Sequence, residues 1–116
     1  HDKMKTIYDL VEFRVPFTAD TQKIETLVTE ITFEETEKYI EVTAKQFLSL
    51  KDRYEMSSRE FRPRIHFIPD PKDPCFTLYV WYVAPYHQIM ELKSQISQRI
   101  VKTLQEEGIE FCAQSK

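Results

Sequence analysis

Between residues 6 and 17 apolar side chains fall on alternate positions: Ile7, Val11, Phe13, Val15 and Phe17, interrupted by Asp9. The intervening set, Tyr8, Leu10, Glu12 and Arg14, is mixed. A period of two predicts a strand with one core face, and Pro16, which has no N–H to donate, suits its end. Asp20 then offers a carboxylate to the free N–H groups of a helix start, followed by Ile24, Leu27, Val28 and Ile31 at helical spacing. A second apolar set, Ile40, Ala44, Phe47, Leu48 and Tyr54, carries the helical pattern toward Met56.

At about 100° per residue the two sets point in nearly opposite directions, so one straight helix with one buried stripe does not satisfy both. Either the helix breaks near Thr32 and Phe33, where Thr32 and Glu35 have capping-box spacing, or it is continuous and something covers its far side. The break is the expectation. Residues 57–64 are polar and contain Pro63, which disfavours helix in the residue before it. Residues 64–68 read as a short strand, with Ile65 and Phe67 on one face. The proline-rich turn 69–74 separates it from residues 76–84, the strongest strand signal, dense in aromatic and β-branched side chains.

Further on, Ile89, Leu92, Ile96, Ile100 and Leu104 form a narrow stripe opposite Glu91, Ser94, Gln98, Lys102 and Gln105, the pattern of a surface helix packed on a sheet. Gly108 stands where a left-handed C-cap is needed. Ile109 and Phe111 alternate with Glu110 and Cys112, which reads as a short last strand. The order strand, helix, strand, strand, helix, strand predicts an α+β ferredoxin-like sandwich: a four-stranded antiparallel sheet with helices on one face, the first helix long or split.

The length of 116 residues fits one domain, spanning 1–116. With 41% apolar, 30% charged and 13% aromatic residues, the chain can bury a core and does not read as disordered. Sixteen basic and nineteen acidic residues leave a net charge of −3, so no basic excess draws it to nucleic acid or anionic lipid. The most apolar run, residues 76–85, has half the ~20 residues a spanning helix needs. Cys75 and Cys112 are one distant pair, expected as reduced thiols; a bridge needs both strands to end at the same edge.

Catalytic chemistry finds few candidates. His66, His87 and His1 lack an acid or cysteine at ligand spacing, and one glycine leaves no phosphate loop. Glu34, Glu35 and Glu37 read as a solvated helix face more readily than as a metal site. Neither cysteine has a recognisable base, so no catalytic, cofactor or metal residue is assigned and an enzyme is not expected. Arg59, Arg62 and Arg64, with Phe61 interleaved, suggest single-stranded RNA binding only weakly against the net acidity.

The anomaly is the strand 76–84. Phe76, Leu78, Val80, Tyr82 and Ala84 share one face, while Thr77, Tyr79, Trp81 and Val83 share the other. A sheet covered on one side is expected to be polar on its second. Tyr79, Trp81 and Val83, with Tyr8 and Leu10 on the first strand, are therefore either covered by the chain itself or the interface to another domain or subunit.

The segments LYVWYVA (78–84), ELKSQISQRIVKTL (91–104) and EEGIEFCAQ (106–114), together with EFRVPFTADTQKI (12–24), resemble the C-terminal cytoplasmic domain of the small-conductance mechanosensitive ion channel family. In that family a strand leads to a helix that closes on Gly-Ile-Glu before a short strand and a glutamine, matched here by Gly108, Ile109, Glu110 and Gln114. Where the family often has prolines, Cys112 and Ala113 stand here. The resemblance implies a fragment of a longer integral membrane protein. Its subunits would form a homo-oligomeric ring, membrane-anchored through segments outside this chain. This domain would help build a cytoplasmic vestibule, with no cofactor, small-molecule substrate or nucleic acid. The competing expectation is a stand-alone regulatory module that binds a metabolite or a protein.

Overall fold

The computed structural model describes residues 6–50 and 61–113, with the backbone alone for 47–50. Residues Tyr54, Met56 and Arg59 lie outside this range, as do the side chains of Phe47 and Leu48. The elements are β1 (Thr6–Pro16), α1 (Thr21–Leu50), β2 (Arg64–Pro69), β3 (Cys75–Pro85) and α2 (Ile89–Glu106), with a 3₁₀ turn at Tyr86–Gln88 before α2. The sheet is antiparallel with order β1-β3-β2. Among the described residues it has three strands and not the expected four, so the four-stranded ferredoxin-like sandwich is not matched.

The register explains which side chains share a face. Val11 lies opposite Val80, Phe13 opposite Leu78 and Val15 opposite Phe76, while Ile65 and Phe67 of β2 flank Val80 and Leu78 from the other side. Directly opposed residues point the same way, so these rows form one apolar sheet face. Val15, Leu78, Val80 and Tyr82 on it are fully buried, together with Ile24 and Val28 of α1 and Ile96, Ile100 and Leu104 of α2. Each such aliphatic side chain contributes about 1.5–3 kcal/mol by leaving water.

Asp9, the polar interruption on this face, lies opposite Tyr82. Its Oδ2 accepts the Tyr82 hydroxyl at 3.2 Å, and Lys93 Nζ of α2 lies 3.4 Å from its Oδ1. Burial first, and the Asp9 carboxylate second, push the Tyr82 phenol well above its ordinary range.

α1 is continuous, contrary to the expected break. Asp20 does cap it, Oδ1 accepting the Lys23 N–H at 3.1 Å. The two apolar sets are joined by threonines: Ile24, Val28, Ile31, Thr32, Thr36, Tyr39, Ile40, Thr43 and Ala44 are all buried. Steps of three and four make this one stripe that winds slowly around the helix, so its two ends face different partners. Toward the C-terminal end those partners are Gln88, whose Oε1 accepts the Tyr39 hydroxyl at 2.9 Å, and Thr6, whose hydroxyl meets that of Thr43 at 2.7 Å. Thr36 and Thr43 donate to the carbonyls of Thr32 and Tyr39 one turn back, at 2.8 and 2.7 Å. Their hydroxyls are thus satisfied inside a buried face.

α2 ends as its glycine predicts. Gly108 has φ of 79°, its N–H bonds the Gln105 carbonyl, and the Ile109 N–H returns to Leu104, which is a Schellman closure. The chain then runs along the outer side of β1, but the segment after Gly108 is not a strand. Among the described residues one backbone bond joins it to β1, from Cys112 N–H to the Arg14 carbonyl at 2.9 Å. Phe111 instead packs its ring on Phe13, centroids 5.8 Å apart. Apolar alternation in this segment serves side-chain packing and not a hydrogen-bonded ladder.

Candidate interaction face

The second sheet face is made by the other register rows. Tyr8 lies opposite Val83; Leu10, Trp81 and Arg64 form one row; Glu12, Tyr79 and His66 form the next; Arg14, Thr77 and Ile68 form the last. β3 is the central strand, so its aromatic residues sit in the middle with β1 and β2 side chains on either flank. Trp81 is 37% exposed and Tyr8 46% exposed, with Leu10 and Tyr79 half-buried. Val83 is 1% exposed and belongs to the interior. Of the five candidate interface residues, four therefore line one partly open surface, and Val83 lies at its covered end.

Ile68, 50% exposed on the same face, belongs with them and was missed. Its signal was parity: it alternates with the core residues Ile65 and Phe67 in the wrong phase to be core itself. The surface mixes rings and aliphatic groups with charges, Arg64 and His66 from β2 and Glu12 from β1. That composition suits protein contact, with aromatic anchors in the centre and polar groups at the rim.

At one end this face is bordered by a cluster that ties down three segments. Arg14 NH2 lies 2.9 Å from Asp70 Oδ2 and 3.1 Å from Asp73 Oδ2 in the β2–β3 turn, and NH1 donates to the Ala113 carbonyl. Asp70 Oδ1 accepts the N–H groups of Lys72 and Asp73 at 2.8 and 3.2 Å. Those two bonds, with Arg14 adding to them, hold the Asp70 carboxyl below its usual range. Beside the cluster, Cys75 and Cys112 form a disulfide. The expectation of two reduced thiols is corrected: Cys75 starts β3 opposite Pro16, and Cys112 lies outside β1 next to Arg14, so both sit at the same end of the sheet.

The remaining candidates scatter. Glu34 and Glu35 are not a metal cluster but receive the Arg99 guanidinium of α2, at 2.8 and 2.9 Å. Among the described residues no group of three or more His, Cys, Asp or Glu converges on a point. Phe61 is buried, 3% exposed, and Arg62 lies over the Phe33 ring at 4.9 Å, so this pair is not a stacking platform for bases. His66 and His87 are exposed on β2 and in the 3₁₀ turn, far apart in the element order. Among the described residues no helix is long and apolar enough to cross a membrane. The chain matches no family model and no curated protein.

Proposed function

We propose that this domain is a non-catalytic assembly module, the cytoplasmic vestibule domain of a mechanosensitive ion channel, which docks on neighbouring subunits through the second face of its sheet. The observation that carries the reading is that face: Trp81 in its centre, with Leu10, Tyr79, Tyr8 and Ile68 around it, all partly or largely exposed. Aromatic side chains in the middle of an uncovered sheet lose exposed apolar area when a partner covers them. The segments that resemble the channel family add the identity of the partner, further copies of the same subunit in a ring.

The test is association of the oxidised domain, read by sedimentation velocity across a concentration series. Trp81→Asp should weaken association at least about tenfold, since it places a charge at the centre of the patch, while far-UV circular dichroism stays native. Loss of the native spectrum would assign Trp81 to the core and sink the docking reading.

The Cys75–Cys112 bridge favours a second reading, because stable disulfides belong to oxidising compartments. In that reading the chain is a stand-alone binding module outside the cytoplasm, and the same face takes a different protein. Thiol trapping in intact cells separates the two: a bridge that is oxidised under all growth conditions supports the second.

A further inference from the structure

We infer that Cys75–Cys112 is a reversible redox latch: a dithiol reductant opens it and frees the segment 110–113 from the outer side of β1. The inference rests on the cytoplasmic reading above, because in a reducing compartment a bridge in a folded domain is transient or regulatory.

Three features of the geometry point this way. The bridge holds little of the core. Its Cys112 end lies beyond the helix closure at Gly108 and Ile109, and of the described residues that follow, Phe111 alone, partly buried, packs against the core. The segment is also weakly held otherwise. Among the described residues, its non-covalent ties are one backbone bond to Arg14, one ring contact with Phe13, the packing of Phe111 against the core and the Arg14 contact to the Ala113 carbonyl. Ordering four residues costs more entropy than those few bonds return, so the covalent tie decides the position. The two sulfurs are unequal as well. Cys75 is 6% exposed, whereas Cys112 is half-buried and lines a depression of about 240 Å³ with Glu12, Arg14, Thr77 and Phe111.

The chemistry follows from that inequality. A thiolate of the reductant attacks Sγ of Cys112, the S–S bond breaks, and Cys75 leaves as a thiolate that takes up a proton. The second thiol of the reductant then attacks the mixed disulfide and releases Cys112. Two electrons and two protons pass to the protein, and the reductant leaves as its own disulfide. With the bridge open, Phe111 and Ala113 lose their anchor, and the Arg14 carbonyl loses the Cys112 N–H.

Amide hydrogen exchange on the 116-residue chain, before and after treatment with dithiothreitol, tests the latch. Reduction should speed exchange at Cys112 at least about tenfold while α2 and β3 stay protected, and reoxidation in a glutathione buffer should restore the slow rate. The double variant C75S/C112S should exchange fast at residue 112 with or without reductant. Unchanged protection after reduction would show that Phe111 and Arg14 hold the segment alone, and the latch is overturned. Protection lost throughout α2 and β3 would make the bridge a staple of the whole fold, which overturns it equally. A bridge that thiol trapping finds oxidised under all conditions in cells also defeats it. None of these outcomes depends on ring formation, so a failed association assay leaves the latch standing, and a failed latch leaves the docking face standing.

Discussion

Replacing Thr32 by valine asks whether α1 is one helix or two, and the two answers predict opposite signs. Thr32 is fully buried, and its Oγ1 has no hydrogen-bond partner among the described residues. Thr36, one turn on, is equally buried, but its hydroxyl donates to the Thr32 carbonyl. Valine matches threonine in volume and β-branching, and the two have similar helix propensities, so the change isolates the hydroxyl. A buried hydroxyl left unpaired costs about 1–3 kcal/mol. Taking the low end, because the site is a helix interior with polar backbone nearby, Thr32→Val should stabilise the domain by about 1 kcal/mol and raise Tm by about 4 °C. Thr36→Val, which removes a bonded hydroxyl, should cost up to about 1 kcal/mol. Urea titrations followed by Trp81 fluorescence would measure both. If α1 instead restarted at Thr32, the hydroxyl would be an N-cap, and valine would destabilise by about 1 kcal/mol. That outcome would refute the continuous buried stripe.

Other consequences are equally direct. Gly108→Ala should cost about 1–2 kcal/mol, because φ is 79° there and backbone strain acts alone, no described atom beyond its two chain neighbours lying within 4 Å of an added Cβ; a neutral result would mean that the helix closure differs. The Asp70 carboxyl is depressed, so its contribution is complete above the ordinary value of 3.8 and is lost as pH falls through the lower folded value. An NMR titration of the Lys72 and Asp73 amides should therefore show a midpoint under 3.8, and one at or above it would show that Asp70 does not cap the turn.

The sequence pattern located the three strands, α2 and both helix signals, Asp20 and Gly108, because each rests on local physics: period two, a narrow stripe, a capping carboxylate, a residue that tolerates positive φ. It failed where burial falls on residues that count as polar. Thr32, Thr36 and Thr43 connect the two apolar sets of α1; at Thr36 and Thr43 the hydroxyl bonds the preceding turn and leaves the outward side apolar. Reading them as polar turned one winding stripe into two opposed ones. The same parity argument that placed Tyr79 and Trp81 on the open face also included Val83, since parity gives the face and says nothing of what covers one end of it.

The last segment shows a different limit. Ile109 and Phe111 alternate with polar residues as a strand would, yet a strand is defined by its backbone partners, and here β1 supplies one, the Arg14 carbonyl. What fixes the segment is instead a set of contacts between residues far apart in sequence: Arg14 with Asp70, Asp73 and the Ala113 carbonyl, Phe13 with Phe111, Cys75 with Cys112. Each of those residues has an ordinary local reading: a charge on a strand, an acidic turn, a lone thiol. Their convergence is set by the register that puts Arg14 two residues from the end of β1 and Cys75 at the start of β3. The edge of β1 is accordingly held by side chains and one covalent bond where a ladder would have been self-sufficient. An edge closed in that way opens with the chemistry of a single bond, whereas a ladder opens only with the sheet.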